Sequence, residues 1–204
     1  MRRALSPGVK YNEMENQGQH RVFGLQLVSI SLLLFVFYVL LWISTYFFAA
    51  AAWLGPDSLK SLAPIIQPSR LVAGVFGFSY LMVTLLGKFK CRLTEGPGKA
   101  ELLASIALDA FSCLLFFTPL GALAPLPAGL SLLFFLGYLY RLGAERELDW
   151  LQNQSQRIGL GLVVAYGLGV FLRPIGAAVA TLVAVGCAVS LFHLLKKTKL
   201  ALTP

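Results

Sequence analysis

Hydrophobic and polar positions fall along this chain in long blocks, not in the short alternations of a water-soluble fold. Six apolar blocks stand out, at 22–48, 71–89, 101–118, 126–142, 157–172 and 175–195. An α-helix rises 1.5 Å per residue, so blocks of this order match a hydrocarbon core of about 30 Å. The period-two alternation of a membrane barrel is absent. The pattern predicts an all-α, polytopic helical membrane protein with six transmembrane helices over 22–195. A cytoplasmic arm (1–21) precedes them and a basic cytoplasmic tail (196–204) follows.

The connections carry their own signals. The arm, with Arg2, Arg3, Lys10 and Ser6-Pro-Gly8, reads as polar and partly disordered. The first block is too long to be an ordinary signal-peptide core. It exceeds the bilayer thickness, so it tilts strongly or its end stands out against something else. Trp42 and Trp53 are placed as interface anchors on that side, and Tyr138, Tyr140 and Trp150 on the other. Residues 55–70 hold Pro56, Pro64 and Pro68 and are expected as a loop with one short surface helix near Leu59–Leu62. Residues 144–156 place Ala144, Leu148 and Leu151 on one face, with charges opposite, as in a helix lying in the headgroup layer. The last two helices are separated by little more than Arg173-Pro174 and form a tight hairpin or one kinked segment.

Gly161, Ala165 and Gly169 recur every four residues, as do Gly176, Ala180, Ala184 and Ala188. Small residues at this spacing let helix backbones approach closely, which drives association in lipid.

Composition agrees with the blocks: 57% of the 204 residues are hydrophobic and only 13% charged, too few for a soluble shell. A net charge of +8 could suggest nucleic acid, but its distribution points elsewhere. Six crossings put 14 lysines and arginines on one side and only Lys60, Arg70 and Arg173 on the other. That bias places both termini in the cytoplasm, in a cytoplasmic membrane of the bacterial inner-membrane kind. Cys91, Cys113 and Cys187 lack metal-ligand spacing and read as free thiols.

The chemistry concentrates on the third block. At 100° per residue, Glu101, Ser105, Asp109 and Ser112 share one third of the helix circumference. A carboxylate facing lipid is costly, so this face looks at other helices or a wet cavity. Asp109 reads either as a structural hydrogen-bonding group or as part of a transport path, with no second acid or base expected at its depth. His20 and His193 fall at one membrane surface; a haem or pigment held between them is an outside alternative to solvated histidines. No phosphate-binding loop, metal-ligand cluster or workable catalytic pair occurs, so no cofactor or metal is expected.

Between Leu85 and Leu151 the runs Lys-Cys-Arg-Leu, Ala-Ser-Ile-Ala-Leu-Asp and Leu-Gly-Tyr-Leu-Tyr-Arg-Leu resemble uncharacterised multi-pass membrane proteins of planctomycete bacteria. The resemblance covers about a third of the chain and implies membrane embedding but no activity. The expectation is a non-enzymatic structural or accessory subunit of a larger membrane complex, partnered by lipid and by other membrane subunits or itself. The alternative is a small-solute or ion transporter working through the face around Asp109.

Overall fold

Long uninterrupted helices follow from a sequence whose polar breaks are few and short. A computed structural model describes the backbone of residues 7–55, 63–94, 96–119, 123–171 and 175–202, and their side chains except at 7–17, 54, 63, 168–171 and 175–178. Among the described residues there are six α-helices and no strand: α1 Pro7–Leu54, α2 Ala63–Arg92, α3 Lys99–Phe116, α4 Pro125–Glu145, α5 Asp149–Phe171 and α6 Ile175–Leu202. Four carry segments long and apolar enough to cross a membrane: Gly18–Trp53, Pro64–Arg92, Pro125–Glu145 and Val179–Leu202. The other two helices carry more polarity: α3 holds Lys99, Glu101 and Asp109 within 18 residues, and α5 opens with Asp149, four amides and Arg157.

Several boundaries differ from the sequence expectation. Helix already covers 7–21, with Pro7 supplying the preset φ suited to a first turn. The start of α2 lies within the expected proline loop. Pro68 sits inside the helix and leaves unbonded only the carbonyl of Pro64, which lies at the exposed end of α2. The short surface helix expected near 59–62 lies outside the described residues.

No separate headgroup-layer helix occupies 144–156. Leu148 N–H donates to Gly143 O at 2.8 Å, and Glu147 takes a left-handed φ of 54°. This Schellman turn ends α4, and α5 begins two residues later. Leu151, expected at a lipid headgroup surface, is fully buried in the core.

The helices form a ring: each packs on its neighbours in sequence, and α6 closes against α1. α1 and α2 approach very closely. A Cβ at Gly24 would stand 2.6 Å from Gly87 O, and one at Gly87 would stand 2.8 Å from Gly24 O, so the two backbones touch. Thr84 Oγ1 donates to Ser31 Oγ at 2.8 Å across the same seam.

The two ends of the ring differ. Towards the end carrying most of the lysines and arginines, the centre is filled by Leu25, Val28, Leu102, Phe135, Leu139, Leu142, Leu191 and Leu195. Towards the α3–α4 connection it is hollow. The α1–α2 hairpin also runs past that connection, because Phe78 of α2 meets Phe117 at the end of α3 with ring centroids 5.2 Å apart. Residues 63–73 of α2 and the matching end of α1 therefore overhang the α3–α4 hairpin, by roughly 15 Å at 1.5 Å per residue.

Candidate functional site: a buried ion pair beneath an apolar cavity

The polar face of α3 turns inward, and the structure places Ser105, Asp109 and Ser112 all in the buried class. What the sequence did not anticipate is a base beside Asp109. Lys88, assigned by charge counting to a water-facing helix end, donates from Nζ to Asp109 Oδ2 at 2.7 Å; the side chains are 0% and 1% exposed. The same ammonium donates to Ser131 Oγ of α4 at 2.7 Å and stands 5.3 Å from the centroid of the Phe135 ring. Ser105 and Ser131 lock α3 to α4: each hydroxyl donates to the other residue's carbonyl at 2.7 Å. Three helices thus meet on one charge pair with its polar neighbours engaged.

An unpaired charge in hydrocarbon is worth avoiding by several kcal/mol, whereas a matched, hydrogen-bonded pair relieves most of that penalty. This is how an 18-residue helix with an internal carboxylate can lie among apolar neighbours. The lysine side chain makes the arrangement possible: its four-carbon stem packs as hydrocarbon while its tip reaches inward.

Above the pair lies the hollow half of the ring, a partly open cavity of about 460 Å³. All six helices contribute to its wall, through residues such as Phe35, Leu81, Phe116, Leu132, Leu162 and Ala184. Two of its hydroxyls are already engaged: Ser112 Oγ donates to Ala124 O at 2.6 Å and Tyr166 OH to Pro125 O at 3.0 Å. The Tyr166 ring sits over Gly129, where any Cβ would overlap its hydroxyl. A buried water needs two to four polar partners, and this wall offers few.

The small-residue stripes divide between two settings. Gly161 faces α6, where an added Cβ would come within 2.8 Å of Cys187 Sγ. Ala165, Ala180, Ala184 and Ala188 line the cavity instead. The surroundings of Gly169 and Gly176 lie outside the described residues.

Glu101, at the start of α3, stands apart from Asp109. Its Oε1 accepts from Arg141 at 2.6 Å while Oε2 is buried without a partner. It shares a second crevice with Tyr140, Arg141 and Ser155, whose buried hydroxyl is also unpartnered.

Of the expected interface anchors, Trp53 is 85% exposed, and Trp42 is half-buried in a run of ring contacts with Tyr38 and Tyr46. Trp150 lies beneath Lys197, whose Nζ is 4.3 Å from the ring centroid. Tyr138 is no interface residue: it is 3% exposed, stacked on Phe135, with its hydroxyl buried and unpartnered. His20 and His193 are both exposed. Among the described residues, no three metal-ligating side chains gather at one point.

Comparison with known proteins brings no match: no family model, no curated protein and no solved structure resembles the chain.

Proposed function

We propose that this protein is a non-enzymatic, structural or accessory subunit of a larger membrane assembly, docked through the overhanging α1–α2 hairpin. All six helices cross the cytoplasmic membrane, with both termini in the cytoplasm. Setting the buried Lys88 aside, the basic residues still divide 13 to 3 between the two sides.

The overhang carries the proposal. From Val22 to Trp53, α1 measures about 46 Å, and fitting that into a core of about 30 Å would need a tilt near 50°, beyond the usual 0–40°. Residues 39–54 and 63–73 hold a single charge, Arg70. Their uncovered side chains include Tyr46, Phe47, Trp53 and Leu71. Only 17% of the most apolar 18-residue stretch of α1 is buried, against 56% of that in α4. An aromatic surface of this kind projecting beyond the hydrocarbon requires a protein partner to cover it.

Transport through the α3 face has less support, because the carboxylate that would hold a cargo cation is already held by Lys88. A photo-crosslinking residue at Phe47 or Trp53, activated in native membranes, tests docking. The expected result is one discrete protein adduct, at twice the chain's own mass if the partner is a second copy. Lipid adducts alone, with a monomer after gentle extraction, overturn it.

A further inference from the structure

Independently of docking, we propose that the central cavity binds one long hydrocarbon chain: the methylene tail of a membrane lipid or of a free fatty acid. Size comes first. A cavity of about 150 Å³ lined by aliphatic residues accepts benzene, so about 460 Å³ holds on the order of eighteen carbon atoms. That is one acyl chain, and too little for two.

The lining chemistry selects the same occupant. Leucine and alanine dominate it, with Tyr38, Tyr80, Tyr166, Ser112 and Thr181 as its hydroxyl-bearing residues, and Asp109 and Lys88 just beneath are closed on each other, so no charge projects upward to recruit a polar headgroup or an ion. Water finds few partners on a wall that is mostly hydrocarbon and in which the Ser112 and Tyr166 hydroxyls are engaged with backbone carbonyls. The surroundings supply the ligand, since a bilayer presents acyl chains at very high local concentration. The alanines of α6 also matter: Ala180 and Ala184 keep that wall thin, where larger side chains would fill the bore.

The test uses the full chain in phosphatidylcholine nanodiscs with two photoactivatable probes. One arm contains palmitic acid bearing a chain diazirine; the other contains phosphatidylcholine with the same diazirine in one palmitoyl chain. Adducts are mapped by peptide mass spectrometry. The expected result is labelling of cavity peptides around Leu132, Leu162 and Ala184 that saturates near one adduct per protein. Ala184→Phe should lower that labelling at least fivefold while labelling near the lipid-facing Leu160 and Leu182 is unchanged.

Labelling in only one arm identifies the source as free acid or phospholipid; labelling in both assigns recognition to the tail itself. Should Ala184→Phe not fold, excess unlabelled probe on the wild-type protein reads the same quantity, again as a fivefold fall. Labelling confined to lipid-facing residues, unsaturable in both arms and indifferent to competitor, overturns the proposal.

Discussion

Replacing Asp109 by Asn leaves the Lys88 ammonium buried without a counter-charge, with only neutral acceptors (the new carboxamide oxygen and the Ser131 hydroxyl) and an aromatic face for company. The ring contact exists before and after the change, so it offsets nothing. Breaking a buried pair by removing one partner typically costs about 3–5 kcal/mol. The full exclusion of both side chains from solvent puts this pair at the upper end of that range. Lys88→Met is expected to cost a similar amount by stranding the carboxylate. The double variant Lys88→Met/Asp109→Asn removes both charges and is expected to lose far less than the two single losses together. The resulting coupling energy is about 3 kcal/mol or more, measured as a double-mutant cycle. Equilibrium unfolding by dodecyl sulfate in mixed micelles, followed by circular dichroism, reads all four proteins. Single losses below about 1 kcal/mol, or losses that simply add in the double variant, refute the ion pair as the joint of α2, α3 and α4.

Four further substitutions have outcomes set by their local surroundings. Gly87→Ala should destabilise by about 1–3 kcal/mol in the same unfolding assay, because its methyl would press on the Gly24 carbonyl; Gly18→Ala, with nothing nearby, should be neutral or stabilising by up to about 1 kcal/mol. Glu147→Gly should stabilise by about 1 kcal/mol, since glycine takes the left-handed φ of that turn without strain; a loss would contradict the Schellman turn between α4 and α5. Ser155→Ala should cost nothing measurable and can gain about 1 kcal/mol, as its buried hydroxyl has no partner to lose.

Much of this architecture is legible in the sequence because bilayers impose length and polarity directly. The inward turn of Ser105, Asp109 and Ser112 follows from helical spacing alone. Lys88 was misplaced for an equally physical reason. It stands beside Lys90 and Arg92 at what composition marks as a helix end, and nothing in one dimension says that its stem bends inward to a carboxylate 21 residues away. A usable signal existed: a lone intramembrane acid calls for a base within reach, and Lys88 is the lysine one helix away at similar depth. The α4–α5 turn was missed because Glu147 gives no glycine cue for a left-handed residue. The cavity was hidden too, since alanines at four-residue spacing look the same whether they meet a helix or a void. Charge sums speak to which side of a membrane a loop occupies, yet they carry no information about packing.

The most direct test concerns α3, the helix that carries a carboxylate at its middle. Alkaline phosphatase fused after Pro119 reports export, and green fluorescent protein fused after Arg146 reports cytoplasmic location. Six crossings with an internally neutralised α3 predict an active phosphatase at the first site and fluorescence at the second. A silent phosphatase at Pro119 together with fluorescence from a fusion at the same residue would mean that α3 does not cross, and would contradict the account.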